Sequence, residues 1–456
     1  MRKTNAWSLG PKAGSHRYYR ASGDQPCLSG LMKTFPTYML QRSRLAGSVA
    51  LLISCVVVTW MSGAVAITAK GTAVQTLPRT QRFDDVEFDA SQHRLTPFNL
   101  IANWIVLSVK INGRDYHMLL DSGAPNVIST SAAVSLGLDV EGRYTGWGVG
   151  KREITGGETT VSRLRIGNVV LHDQTFHVIA LPYAFTHGFS PSIEGVIGYE
   201  VFRRLVVRVD FQRSTIRFLD PQSFHYHGKG VAVPFYLEEH VPVVAGTVDG
   251  LQGAFQIDTG SDGSLSVTSP FVARNDLVRR YSAHIRGFAG EGVGGRENAY
   301  FVRARVLHIG GADIPSVVTE LLDDTGGVGA MQAVAGFIGT AVLKRFNLTF
   351  DYTRNTIYFE KNANYNRPSV FNRAGLAPRI TPEGLKVVSV FEDSPAAAAG
   401  ISPGDTILAI NGHTGDQLNG PFLFDILRQP VGTVVRFTIL HAGVEKSVQL
   451  KLRDLL

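Results

Sequence analysis

Two aspartates, Asp121 and Asp258, stand 137 residues apart in similar surroundings: "HMLLDSGAPNVIST" (residues 117–130) and "AFQIDTGSDGSLSVTS" (residues 254–269). In each, an apolar run ends at an aspartate and the chain turns at once through Ser-Gly or Thr-Gly. One Asp-Ser/Thr-Gly alone is an ordinary turn. Two at equivalent places raise a chemical expectation. Carboxyl groups a few ångströms apart cannot both ionise, so they share a proton and titrate as a coupled pair. One member then takes a proton from water while the other gives one to a carbonyl oxygen, which suits addition of water to an amide. The hydroxyls of Ser122 and Thr259 can hold their loops, and Gly123 and Gly260 let backbone N–H groups approach the carboxylates.

The elements that must position such a pair repeat as well. Asn112-Gly113 and Asp249-Gly250, again 137 residues apart, each join a strand to the apolar strand that ends at an aspartate. "GVIGYEVFRRLVVRVDFQRSTIRFLD" from Gly195 and "GFIGTAVLKRFNLTFDYTRNTIYFEK" from Gly336 repeat at an offset of 141. Each reads as an apolar-Gly turn, a strand, a polar hairpin around Arg213 or Arg354, and a returning strand. Between them, "GWGVGKREITGG" (146–157) and "GFAGEGVGGRE" (287–297) are glycine-rich stretches placed where a hairpin folds over a site. Gly148, Gly150, Gly292 and Gly294 are their flap candidates. The middle of the chain is therefore a duplicated all-β unit, 96–222 and 231–362, and a pseudo-twofold axis brings the two carboxylates face to face.

Asp121-Ser122-Gly123-Ala124 and Asp258-Thr259-Gly260-Ser261 resemble the active-site loops of the aspartic peptidases. Val196-Ile197-Gly198 and Phe337-Ile338-Gly339 resemble the apolar-apolar-Gly segment that each lobe of that family threads beneath its loop. The small repeat and glycine-rich flap are more similar to the retroviral type fused in tandem than to the larger pepsin lobes. The resemblance implies a mainly β chain with two pseudo-symmetric lobes and Asp121 and Asp258 as the catalytic dyad. It further implies polypeptide substrates, with no metal or cofactor. Two positions depart from a plain repeat. Pro125 follows the first loop, and Asp262 follows the second, a third carboxylate that either raises the pair's pKa or points into solvent. Tyr144 and Trp147 are candidates for an aromatic flap residue, with hairpin packing as the alternative for each.

After "NANYNRPSVFNR" (362–373) the pattern changes. A strand precedes a short helix capped by Asp393 or Ser394 with Pro395 in its first turn; a strand, Thr406 to Asn411, a second helix in "PFLFDILRQP" and a closing hairpin follow. Residues 372–456, with Ser-Pro-Ala-x-x-Ala-Gly-x-x-x-Gly-Asp at Ser394 to Asp405, resemble a circularly permuted bacterial PDZ domain, a small α+β fold. The resemblance implies capture of peptide termini or extended segments as an added strand. The groove would lie between Ala377 to Ile380 and Phe422 to Leu427, with backbone N–H groups near Gly375, Leu376 and Ala377 receiving a carboxylate. A docking domain with an empty groove is the alternative.

Composition bounds the rest. At 456 residues the chain is too long for one ordinary core. Its net charge of +7 comes with no basic stripe interleaved with aromatics, which excludes nucleic acid as a partner. Cys27 and Cys55 are the two cysteines, so no disulfide or thiol chemistry is available beyond residue 55. Leu45 to Ala69 carries no charge, follows Arg42 and Arg44, and contains Ala64-Val65-Ala66. It reads as a cleaved signal peptide, an uncleaved membrane tether, or a segment lipid-modified at Cys55. Residues 1–69 thus form an N-terminal extension that places the bulk of the chain outside the cytoplasm, in or facing the periplasm. His-Glu-x-x-His is absent, and His225 with His227 reads as a surface pair rather than a metal site. Two function classes remain: an exported aspartic endopeptidase with a peptide-reading module, and a non-catalytic peptide-binding scaffold on the same two-lobed fold.

Overall fold

The computed structural model describes residues 84–89 and 95–456; both cysteines and the apolar segment 45–69 lie outside them. Among the described residues no helix is long and apolar enough to cross a membrane.

The first lobe begins with the hairpin Trp104–Ile111 and Arg114–Leu120. Ile105, Leu107, Val109 and Ile111 point into the core, while Ser108 and Lys110 are exposed, the period-2 pattern of a half-buried strand. Asn112 and Gly113 both take positive φ, 49° and 88°, as a two-residue type I′ turn requires. The second lobe repeats the device: Val241–Val248 turns through Asp249 and Gly250, at φ 46° and 82°, into Leu251–Ile257.

Each lobe then threads a short central strand. Gly195–Ile197 runs parallel to Arg114–Leu120 and antiparallel to Val127–Ser129. Gly336–Ile338 does the same between Leu251–Ile257 and Leu265–Val267. After Gly198 and Gly339 the chain makes single helical turns, Tyr199–Phe202 and Thr340–Leu343, before the next strand. The sequence pattern had suggested a direct turn into that strand; four residues are too few to show helical periodicity.

The lobes share one six-stranded sheet. Val206–Asp210 and Thr215–Leu219 from the first pair with Phe346–Asp351 and Thr356–Lys361 from the second, joined where Val207, Arg208 and Val209 face Phe350, Thr349 and Leu348. Thr96–Pro97 and Val231–Pro234 form its matching edges. One continuous apolar core, including Phe202, Phe350 and Tyr352, runs through both lobes.

The C-terminal domain has a separate core around Leu376, Ile407, Leu423 and Phe437. Its sheet runs Leu376–Thr381, Gly384–Val390, Thr406–Ile410, Val434–His441 and Val444–Lys451 in order. Ser394, not Asp393, caps the helix Pro395–Ala398: its hydroxyl accepts the Ala397 N–H at 3.2 Å. Phe301 of the second lobe meets Phe371 and Phe391 at ring distances of 4.9 and 5.3 Å, so the domain is seated on that lobe by aromatic packing.

Candidate active site

The threaded strands deliver the two aspartates. The Asp121 N–H donates to the Ile197 carbonyl at 2.9 Å, and the Asp258 N–H to the Ile338 carbonyl at 3.1 Å. Beyond these bonds the loops cross-link to each other with twofold symmetry. Ser122 N–H donates to Thr259 Oγ1 at 2.9 Å, and Thr259 N–H to Ser122 Oγ at 3.1 Å. The same hydroxyls donate outward, Ser122 Oγ to the Ile257 carbonyl at 2.7 Å and Thr259 Oγ1 to the Leu120 carbonyl at 2.9 Å. Both side chains are fully buried, where unmet hydrogen-bonding groups are costly. The hydroxyls therefore tie one lobe to the other as well as holding their own loops.

Each carboxyl is gripped by its own loop: Asp121 Oδ1 accepts the Gly123 N–H at 2.7 Å, and Asp258 Oδ1 those of Gly260 and Ser261 at 2.9 and 3.1 Å. Each also packs on the opposite loop. A methyl group on Gly260 would stand 2.1 Å from Asp121 Oδ2, and one on Gly123 2.7 Å from Asp258 Oδ1. Only glycine permits this approach. Burial, reinforced by the Asp258 charge, holds Asp121 well above the usual carboxylate range, and burial raises Asp258 also. Two carboxyls this close retain one proton between them.

Two glycine-rich hairpins follow the aspartate loops, one in each lobe. Glu141–Gly146 with Ile154–Ile166 forms one, and Arg286–Gly292 with Gly295–Ile309 the other. Their tips meet where Arg152 N–H donates to the Gly294 carbonyl at 2.9 Å, while the Gly148 carbonyl accepts the Val328 N–H, from the short turn Val328–Ala330 beyond the strand Ala312–Leu322, at 3.4 Å. A Cβ on Gly150 would fall 2.4 Å from Gly294 C, one on Gly148 2.6 Å from the Val293 side chain, and one on Gly292 2.6 Å from the Val149 side chain. All four glycines singled out in the sequence thus sit at this tip-to-tip contact. Tyr144 stacks on His177 with ring centroids 3.9 Å apart, and Trp147 is 57% exposed.

Asp262 faces a cavity at the junction with the C-terminal domain, and its backbone carbonyl accepts Asn103 Nδ2 from the first lobe at 2.7 Å. Its side chain is exposed toward that cavity, where partial loss of water raises its pKa against the lowering effect of Arg428, and its charge in turn raises Asp258. At the C-terminal groove the structure alters one expectation. The N–H groups of Ala374 and Gly375 donate to Asn372 Oδ1 at 3.1 and 3.0 Å, and Asn372 Nδ2 donates to the Leu376 carbonyl at 2.7 Å. Of the N–H groups expected to receive a carboxylate, that of Gly375 is taken by the chain's own amide. Of Gly375, Leu376 and Ala377, Ala377 alone lines the cavity.

Three features escaped sequence reasoning. Asp324-Thr325-Gly326, after Leu321-Leu322, is a third Asp-Thr-Gly triplet. It follows the strand Ala312–Leu322 with no central strand threaded beneath it, and Asp324 instead lies buried against Glu297. Gly400-Ile401-Ser402-Pro403-Gly404 has the spacing of a serine nucleophile turn. It leads from a helix to a strand, the reverse of that arrangement, and Ser402 N–H is bonded to Asp405 Oδ2 at 2.9 Å. Arg379 and Glu291, 88 residues apart, form a bidentate pair joining the C-terminal domain to the second hairpin. The first two were legible as triplets and spacings; the pair left no sequence signal.

Comparison with known proteins identifies two stretches. Residues 107–201 match the family model described as aspartyl protease, and residues 357–452 that of the PDZ domain. The carboxy-terminal-processing protease of Bartonella bacilliformis (strain ATCC 35685 / KC583 / Herrer 020/F12,63) is 40% identical over 88 residues, 18% of this chain. The chain spans about a fifth of that relative, 20% of its length. Among solved structures, an aspartic proteinase from Irpex lacteus covers 60% of this chain and 98% of its own, at 13% identity and a TM-score of 0.39. The chain carries an aspartyl-protease segment in a mainly β fold and a C-terminal PDZ domain.

Proposed function

We propose that this protein is an aspartic endopeptidase in which Asp121 and Asp258 act as one dyad, with the PDZ domain positioning substrate. The observation that carries the reading is the cross-bonded pair of loops, which presses each carboxyl against the other loop's glycine. With one proton between them, the ionised member accepts a proton from water as it attacks the scissile carbonyl. The protonated member donates to the carbonyl oxygen. The pair, again holding one proton, gives it to the leaving nitrogen as the C–N bond breaks and takes one back from a hydroxyl of the diol intermediate as the new carboxyl group forms, which restores its single-proton state. In this reading the paired hairpin tips close over bound substrate and exclude water from this step. Export rests on residues 45–69 and is part of the proposal.

The test is hydrolysis of a mixed peptide library by the full chain between about pH 3 and about pH 8, beside Asp121→Asn and Asp258→Asn. Each substitution is expected to lower kcat by roughly 10³-fold or more while the fold is kept. A hydroxyl-bearing transition-state mimic should bind the wild type and lose affinity in both variants. Hydrolysis that survives either substitution would overturn the dyad, and a folded protein that cleaves nothing would be the scaffold.

A further inference from the structure

The two lobes differ in what holds the connection that leads into each threaded strand. In the second lobe this connection runs from Leu322 to Gly336, and its turn Val328–Ala330 meets the first hairpin at the Gly148 carbonyl. In the first lobe it runs from Ile179 to Gly195 and carries the short helix Tyr183–His187, followed by Gly188 and Phe189. This segment reaches the PDZ domain. The Gly420 N–H, at the start of the helix Gly420–Ile426, donates to the Gly188 carbonyl at 2.7 Å. A Cβ on Gly188 would stand 2.9 Å from Ile380 Cδ1, and one on Gly420 2.9 Å from the Phe189 ring. Gly188 therefore meets both walls of the groove, the helix Gly420–Ile426 and the strand Leu376–Thr381.

We propose that the PDZ domain braces Asp121 through this segment, with Gly420 as a positioning residue. Two routes run from the contact to the aspartate. The first is backbone. The Ile193 N–H donates to the Phe185 carbonyl at 3.1 Å, and the Glu194 N–H to the His117 carbonyl at 2.9 Å. The strand Gly195–Ile197 follows at once, and its Ile197 carbonyl accepts the Asp121 N–H at 2.9 Å. The second route is packing. Phe185 and Phe189 lie against Trp104 with ring centroids 5.0 and 5.1 Å away. With Val106, Leu119, Ile193 and Val196 these rings form an apolar cluster separate from the core that the lobes share. Leu119 stands two residues before Asp121 and pairs with Val196 of the threaded strand. Close-packed side chains transmit displacement, so what moves Phe189 is felt at Leu119 and Val196. The Gly420 N–H is a helix-end donor with no partner within its own helix, so the bond completes that helix as it anchors the segment. With the segment docked, the two aspartate loops are cross-bonded. The docked arrangement is therefore the one that has the pair assembled. The kinetic consequence rests on the peptidase reading, whereas the support of Asp121 does not.

The experiment uses the full chain with two substitutions. Gly420→Val drives a side chain into Phe189 and the Gly188 carbonyl. Gly420→Pro removes the donor at a first helical position, where proline is accepted. In both, amide exchange is expected to speed up in residues 182–189 and, with them, in 193–198 and 117–121. The second lobe's strand Gly336–Ile338 and the PDZ strand Val434–His441 should keep their protection. On one short cleavable peptide kcat should fall about tenfold with KM unchanged, since misplacing a reacting group costs rate rather than binding. Faster exchange confined to 182–189 would overturn the brace, because the contact would then end at the segment. Equal loosening of both threaded strands would overturn it as general destabilisation, and a change in KM alone would make Gly420 part of substrate capture instead. An unmoved segment 182–189 in both variants would overturn it as well. If the wild type cleaves no peptide, the peptidase reading fails separately, and the exchange pattern alone decides the brace.

Discussion

At Gly260 there is no room for a methyl group, because an added Cβ would lie 2.1 Å from Asp121 Oδ2. Gly260→Ala must therefore displace either the loop or the opposite carboxyl. Misplacement of this size costs about 10²-fold in rate, so kcat should fall by about that factor while the thermal midpoint moves little. Steady-state kinetics beside a melting curve would check it. A second carboxyl pair behaves differently. Glu297 and Asp324 are 7% and 5% exposed, and burial with the Asp324 charge pushes Glu297 up to about 9. The folded protein thus keeps a proton that the unfolded chain releases near 4.5. The stabilisation is complete below that value and is lost as pH rises through about 9, by at most about 1.4 kcal/mol per unit. Glu297→Gln, a neutral isostere, should flatten this decline; melting at about pH 5 and about pH 8 measures it. An equal decline in the variant would mean that the pair holds no extra proton.

The element that matters most is the loop pair. Neither loop is self-sufficient, since the Ser122 hydroxyl accepts the Thr259 N–H and the reverse bond is made as well. Ser122→Ala removes the acceptor for a buried N–H and should destabilise the protein by about 1–3 kcal/mol. Thr259→Ser keeps the hydroxyl and should cost less. Urea unfolding of both variants would rank them, and an equal cost would deny the hydroxyls this role. The same dependence explains why a triplet alone is no site. Asp324-Thr325-Gly326 has the right residues, but what faces it is the first hairpin's tip, with Lys151 Nζ 3.7 Å from Asp324 Oδ1, and not a second aspartate loop.

For the whole molecule, the question is what holds the second hairpin. Its tip meets the first hairpin through the Arg152–Gly294 bond. Its strand is anchored to the PDZ domain by Arg379, whose Nη2 donates to Glu291 Oε1 at 2.6 Å. The two side chains are 30% and 14% exposed, so solvent screens this pair only in part. Arg379 stands on the edge strand Leu376–Thr381, so the pair couples that strand of the groove to the hairpin. Arg379→Gln should speed amide exchange in residues 286–295, while the strand Val434–His441 keeps its protection. Unchanged exchange in the hairpin would show that the aromatic packing holds it without the pair.

Local chain chemistry by itself determined the duplication, the two aspartate loops, the hairpin turns at Asn112-Gly113 and Asp249-Gly250, the glycine-rich tips and the change of pattern after residue 362. Each of these is a short-range rule of φ, periodicity or turn type that repeats at a fixed offset, so a single chain is enough to see it. The tertiary structure alone decided which Asp-Ser/Thr-Gly triplets face each other, because that depends on a strand threaded from 77 or 81 residues away. It also decided that Asn372 takes the Gly375 N–H, that Ser394 rather than Asp393 caps its helix, and that Arg379 reaches Glu291. These are contacts between side chains brought together by packing, and no periodicity along the chain encodes where a folded surface will bring two distant residues within hydrogen-bonding reach.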